Sequence, residues 1–328
     1  MTHGSMQADL LVVGAGLGGI AAALASAEQG IRIILTEPTT WIGGQATSQA
    51  VPPDEHPWIE SHPGCASYAR YRRLVRETYR QAYPLTQFAA AQPHLNPGLG
   101  LVSGLCHEPR VSLAVLNQML LPWLSTGMIR LFTGWSPVAA HTTGDQIDAV
   151  DFSLPDGDTI TVQAGFVIDA TETGDLLELA SIEHVAGSES QAQTGELHAL
   201  PGDPDPMDQQ AITWCFAIDW SPATDNVIDR PEQYDHWRSV EPLFWPGPLV
   251  GWDDIDPETL EERHLPLISA IGQRDLWHYR RIIAAEQFQP GAFASDIVAV
   301  NWPMQDYFEA PIIGVPPDQA ETNLGSCR

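Results

Sequence analysis

The chain has 328 residues, 42 of them acidic against 15 basic, for a formal charge of −27. This balance excludes nucleic acid and anionic membrane surfaces as partners. Every basic residue is arginine, which also excludes Schiff-base chemistry and a lysine general base. The length suits two domains, or one large α/β domain with an insertion.

In chain order, the opening Met1-Thr-His-Gly-Ser-Met6 is set aside as a leader or cloning scar ahead of a native start. Leu10–Val13 is an apolar run short enough for a buried parallel strand. Gly14-x-Gly16-x-x-Gly19 follows, then an Ala-rich helix to Glu28 closed by Gly30, and a second apolar strand ending at Glu37. Strand, glycine turn, helix, strand and acid form a dinucleotide-binding pattern. Gly14 permits the tight turn, Gly16 lets backbone approach a pyrophosphate, and Gly19 brings helix and strand together. The helix N-terminus favours the phosphates, and Glu37, roughly 20 residues on, suits the ribose hydroxyls. A signal peptide is not the expectation, since no Lys or Arg precedes Arg32.

Gly43-Gly44-Gln45-Ala46-Thr47 predicts backbone passing close to a flat ligand. Residues 50–66 form a Pro- and His-bearing loop with no common zinc spacing; an active-site loop carrying His56 is the expectation. Tyr68–Tyr83 is an amphipathic helix with Tyr71, Leu74, Val75 and Thr78 on one face and Arg73, Arg76 and Arg80 on the other. With Arg70 and Arg72, it holds a third of the arginines. These are either a solvated face or an anion site. Gly98-x-Gly100-x-x-x-Gly104 is a decoy, one residue too long and preceded by Pro97.

Residues 111–124 predict a buried helix and Ile129–Phe132 a strand. Ile147–Phe152 and Thr159–Val162 flank Asp156-Gly157, a hairpin signal. Phe166–Asp169 predicts another short buried strand, opening through Ala170-Thr171-Glu172-Thr173-Gly174 into a helix at 176–180. Residues 187–210 predict a linker, 211–219 and 296–300 strands, and 278–286 a helix. Cys65, Cys106, Cys215 and Cys327 form no C-x-x-C pair, so the expectation is buried thiols in a reducing cytoplasm rather than a dithiol relay.

These motifs, in this order, resemble the FAD-dependent oxidoreductases of the glutathione-reductase-type fold. The resemblance rests on the first glycine motif with Glu37, Gly43–Thr47, the meander hairpin, and Val167-Ile168-Asp169-Ala170-Thr171 with Gly174-Asp175. It implies an α/β fold: a Rossmann-like FAD-binding domain with parallel sheet and β-meander at 8–185, carrying a helical insertion at about 51–125. A mixed α+β substrate or cap domain at 186–328 would follow. It implies FAD as cofactor, with Gly14, Gly16 and Gly19 at the pyrophosphate and Glu37 at the adenosine ribose. Gly43, Gly44 and Thr47 would lie near the ribityl chain or flavin, and Ala170 and Thr171 near the adenosine side. The family's C-terminal strand and helix with a glycine motif is not found, so the chain resembles a truncated member.

The function implied is hydride transfer from a small polar organic substrate to flavin, in the cytoplasm, with neither nucleic acid nor membrane as partner. A nicotinamide-dependent dehydrogenase and a non-catalytic FAD-binding remnant are the alternatives. On the substrate side, His56, which follows the acidic pair Asp54-Glu55, is the candidate base, and Arg73 or Arg76 the anion clamp.

Overall fold

The computed structural model describes residues 4–270 and 274–327. They divide into two compact units. The first runs through His184 and takes in Ile282–Ala294; the second comprises Val185–Arg281 and the residues from Ser295 onward.

The first unit holds β1 (Gly4–Val13), α1 (Leu17–Glu28), β2 (Ile33–Glu37), α2 (Ala66–Ala82), α3 (Gln87–Ala91), α4 (Pro109–Ser125), β3 (Ile129–Thr133), β4 (Ser136–Thr143), β5 (Gln146–Ser153), β6 (Thr159–Asp169) and α5 (Asp175–Leu179). Its six-stranded sheet has the order β3-β2-β1-β6-β5-β4. The first four strands run parallel. The last two extend the sheet antiparallel as a meander. This is a Rossmann-like α/β sheet with helices over it. Leu10–Val13 are buried on both faces, as a central parallel strand requires. Each contributes about 2 kcal/mol of apolar burial, as an upper bound. Leu11, Val13 and Ile34 form a core with Trp135, Val150, Phe152 and Val162 of the meander and Leu176 of α5.

Several expectations are corrected here. Residues 4–6 lie inside the sheet, with Gly4, Ser5 and Met6 opposite Ile160, Thr161 and Val162. Strand β1 is long because β6 is long. The two strands predicted at 159–162 and 166–169 are one, since Gln163 and Ala164 keep the extended register opposite Gln7 and Ala8. A Gln7–Gln163 side-chain hydrogen bond of 3.1 Å ties that middle stretch. Phe166, expected buried, is 78% exposed. Of the four cysteines only Cys106 is buried, although all four are free thiols. On α2, Arg72 and Arg76 are buried along with Tyr71, Leu74, Val75 and Tyr79. The helix therefore has no wholly solvated arginine face.

In the second unit, Phe216–Asp219 pairs antiparallel with Ile297–Val300. The strand expected over 211–219 is broken: Ile212–Thr213 pairs instead with Asp306–Tyr307. A short hairpin joins Asp253–Ile255 to Glu262–His264, with the Arg263 fork on Asp254 at 2.6 and 2.8 Å. Leu276, Trp277, Val298, Val300, Trp302 and Met304 form the core. The helix expected at 278–286 is only Leu276–Tyr279, followed by a strand at Arg281–Ile283, within which the chain passes to the first unit. The Asp275 carboxylate caps that turn, accepting from His278 N at 2.8 Å. The consecutive β-branched residues Ile282 and Ile283 explain the switch to extended chain. No helix among the described residues is long and apolar enough to cross a membrane.

Candidate functional site

Three turns meet at the carboxyl ends of the parallel strands, the place where open α/β sheets take ligands. The first follows β1. Gly14 has φ +96°, and a Cβ there would lie 2.2 Å from Ala170 O. Only glycine allows this approach of the β1 turn to the β6 turn. Ala170 N donates to Val13 O at 2.7 Å, and Gly14 N to Thr36 O at 3.1 Å, fixing the turn to both neighbouring strands. A Cβ on Gly19 would lie 1.9 Å from Gly14 O, so α1 can start only with glycine there. Gly16 caps α1 with φ −62° and ψ −178°, a conformation any residue can adopt. A Cβ on Gly16 would meet only Glu172 Oε1, at 3.4 Å, and one on Gly18 would meet nothing within 4 Å. The outer face of the turn is thus open where a Cβ would sit, above the unpaired N–H groups of the first helical turn. An anionic pyrophosphate fits this cradle in space and in charge.

Glu37 closes the turn from the side. Its carboxylate is 6% exposed and accepts from Ala15 N at 3.1 Å through one oxygen. The other oxygen accepts from Thr39 N at 3.0 Å and Thr39 Oγ1 at 2.7 Å. The oxygen facing Ala15 keeps acceptor capacity for a hydroxyl.

The second turn is Gly43-Gly44, with φ +109° and +51°. Gly43 N donates to Ala15 O at 2.7 Å, which holds this segment against the β1 turn. Thr47 is 1% exposed, and its hydroxyl is spent on Ile42 O at 2.6 Å. A Cβ on Gly43 would strike Thr47 Cγ2 and Leu116 Cδ1, each at 2.6 Å. Thr47 therefore supports the turn from behind.

The third turn follows β6. Asp169 accepts from Thr171 N at 3.0 Å, Thr171 Oγ1 at 2.7 Å and Leu176 N at 3.0 Å. Thr171 Oγ1 in turn accepts from Asp175 N at 2.8 Å. Both side chains order the turn that starts α5. Glu172, which the sequence reading passed over, has its carboxylate beside Gly16 and Gly44: a Cβ on Gly44 would lie 2.8 Å from Oε1. This side chain is exposed and can swing aside. Its signal in sequence was only its place between the β6 strand and Gly174.

The structure places the substrate-side candidates elsewhere, around α2. Glu55 is turned inward. It is ion-paired with Arg72, both side chains at most 4% exposed, and accepts from Tyr68 OH and from Ser103 Oγ at 2.7 Å. Burial, then the bond to Glu55, pushes the Tyr68 phenol far above its ordinary range. His56 is left exposed, with Trp58 its ring neighbour at 6.2 Å. Arg76 donates to Leu95 O at 2.9 Å, Gly104 O at 3.1 Å and both oxygens of Glu60. It is committed to holding the loop. Burial opposes ionisation of Glu60, but Arg76, Arg72 and His94 outweigh it and hold the carboxyl below the usual range. Arg73 is exposed and paired with Glu77 at 2.7 Å.

Behind α2, Tyr71 OH and His107 Nε2 converge on Ser112 Oγ at 2.5 and 2.7 Å, and His107 Nδ1 donates to Leu105 O at 2.8 Å. All three are buried, so no substrate reaches this cluster. Burial pushes the His107 imidazole down to about 4 and the Tyr71 phenol up to about 12.

No curated protein matches the chain in sequence. Solved structures similar to parts of it include Mycobacterium smegmatis Sdh1 in complex with UQ1 (15% identity, 51% of this chain, 34% of that one, TM-score 0.37). A geranylgeranyl bacteriochlorophyll reductase-like protein from Thermoplasma acidophilum matches at 15% identity over 55% of this chain and 43% of that one, TM-score 0.34. The 3-ketosteroid-Δ4-(5α)-dehydrogenase of Rhodococcus jostii RHA1 matches at 15% identity, 54% and 49%, TM-score 0.31. The chain thus spans a third to a half of the length of these structures. The assignment comes from the family model, which matches almost end to end and sets the nicotinamide alternative aside. Over residues 9–322 the sequence fits the family described as FAD dependent oxidoreductase; the chain belongs to that family, and its cofactor is FAD.

Proposed function

We propose that the chain oxidises a small polar organic molecule by hydride transfer to FAD held at the three turns. The observation that carries this reading is the open cradle at Gly16, walled by turns that only glycine can form at Gly14 and Gly19. Gly14, Gly16 and Gly19 would hold the pyrophosphate, with the α1 N-terminus supplying donors and partial positive charge. Glu37 would take the ribose hydroxyls of the adenosine. Gly43 and Gly44 would lie along the ribityl chain or flavin, with Thr47 supporting them. Ala170, which presses on Gly14, and Thr171 would shape the adenosine side.

When bound, FAD supplies two-electron oxidation, the removal of a hydride from a C–H bond. The chain's own part is to bind, to orient and to keep water out. With no lysine in the chain, a histidine is the cheapest proton acceptor near neutral pH. His56 is the candidate, since its ring makes no hydrogen bond among the described residues and is open to solvent. Arg73 is the better-placed anion contact, because Arg76 is spent on Glu60.

The test is anaerobic mixing of FAD-loaded protein with a panel of small amines, amino acids and hydroxy acids, following loss of blue absorbance. A substrate of this class should bleach the flavin, more slowly when its reacting C–H is deuterated. His56→Asn should then slow bleaching about 10²-fold. A loaded protein that no member of the panel reduces would favour the non-catalytic reading.

A further inference from the structure

On the exposed side of α2 lies a cavity of about 280 Å³, lined by Arg72, Arg73, Arg76, Arg80, Glu60 and His94 among others. None of the residues at the three glycine turns lines it. Four guanidinium groups in one cavity are unusual in a chain of net charge −27. Their charges are not equally compensated. Arg72 is paired with Glu55 and Glu60, and Arg76 with Glu60. These four groups form a neutral, locked network whose Arg72, Arg76 and Glu60 face the cavity, and His94 Nδ1 adds a contact to Glu60 at 2.9 Å.

Arg73 and Arg80 differ from that network. Arg73 has one partner, Glu77, in an exposed pair. Such exposed pairs contribute little and are readily exchanged. Arg80 donates through Nη2 to Gln92 O at 2.7 Å and Pro93 O at 3.1 Å. Carbonyl oxygens orient the fork but cancel none of its charge. Among the described residues no carboxylate lies within ion-pair distance of Arg80. Nε and Nη1 of Arg80, and Nε and Nη2 of Arg73, have no protein partner there. The two arginines are seven residues apart, two helical turns on one face, with Cα atoms about 10 Å apart. Side chains of arginine length close that gap onto a small ligand between them.

We propose that this cavity binds a small dianionic oxyanion, phosphate or a short dicarboxylate, between the forks of Arg73 and Arg80. Guanidinium forks match both groups in shape and charge. The paired Arg72, Arg76 and Glu60, with Glu55 behind them, fix the cavity's shape beforehand and lower the ordering cost of binding. Arg73 is also the anion contact of the proposed function, but the binding argued here needs no flavin and does not rest on the flavin assignment.

The test is isothermal titration calorimetry of the full chain with inorganic phosphate and, separately, with malonate. Saturable binding of either supports the proposal, and the tighter of the two names the source of the dianion. The double variant Arg73→Gln/Arg80→Gln, with a wild-type circular dichroism spectrum, should weaken that binding at least 10-fold. Should the double variant not fold, Arg73→Gln alone, at a side chain 58% exposed, should weaken it at least 3-fold. Absence of saturable binding for both anions, or wild-type affinity in the folded variants, would overturn the proposal. Either result is read without flavin, so it leaves the cofactor assignment untouched.

Discussion

At the carboxyl ends of β1, β2 and β6 the contacts are made mostly by backbone. Gly14 N reaches Thr36 O, Ala170 N reaches Val13 O, Gly43 N reaches Ala15 O, and Glu37 ties in through Ala15 N. Around α2, which lies between the β2 and β6 turns in the chain, side chains join the elements. Arg72 and Arg76 reach Glu55 and Glu60, and Tyr71 and His107 reach Ser112. The first region has small residues and an open face, the second buried charge and a closed wall. A backbone cradle leaves room for a ligand to take the N–H groups and the space. A side-chain network consumes its own polar capacity in holding loop to helix. Our proposal that FAD lies in the first region rests on this contrast, and the second region would give shape to whatever binds beside it.

The difference can be broken most severely at Arg72. Arg72→Ala leaves Glu55 buried without its charge partner, and the chain should lose about 3–5 kcal/mol of stability. Urea unfolding measures this, and the folded fraction should still take up FAD. The second test is pH. Burial holds His107 at about 4, below its ordinary value. Between the unfolded value of about 6.5 and the folded one of about 4, the unfolded chain binds the extra proton. The contribution is therefore complete above about pH 6.5 and is lost as pH falls toward 4, about 3 kcal/mol at most. His107→Gln should flatten the unfolding free energy over that window relative to wild type.

In the cradle, Glu37→Ala should weaken FAD binding by about 1–3 kcal/mol, the range for a lost hydrogen bond to a charged group. Fluorescence titration with FAD checks this, and an unchanged dissociation constant would place the acid's role in the turn alone. The smallest effect belongs to Arg73. Arg73→Ala should change stability by no more than about 0.5 kcal/mol, because its pair with Glu77 is exposed. A large loss there would show that the two kinds of arginine on α2 are not distinct.

The same contrast explains what could be read from sequence. Glycine constraints are local, so Gly14-x-Gly16-x-x-Gly19 and the apolar runs beside it show strand, turn and helix without knowledge of their partners. Strand length is not local: β1 reaches back to Gly4 because β6 lies opposite, and Gln163–Gly165 continue a strand they would break alone. Burial of arginine is equally non-local. Arg72 and Arg76 look like a solvated face until Glu55 and Glu60, 12 to 17 positions before the arginines they pair with, fold over them. His56 looked coupled to its neighbour Glu55, yet that carboxylate turns to Arg72 and Ser103. Glu172 was invisible for a related reason, since only the meeting of turns brings it beside Gly16 and Gly44.

The central claim, that the open face at Gly16 is where FAD enters, is tested most directly by one substitution. Gly16 has an ordinary φ of −62°, and its nearest obstacle to a Cβ is the flexible Glu172 side chain. Gly16→Val should therefore fold as the wild type does while filling the space the pyrophosphate needs. The measurement is the flavin absorbance of both proteins after saturation with FAD and gel filtration, with released cofactor identified by mass. The account predicts bound FAD in the wild type and none in a Gly16→Val protein of unchanged unfolding midpoint. A full complement of FAD retained by that variant would contradict it.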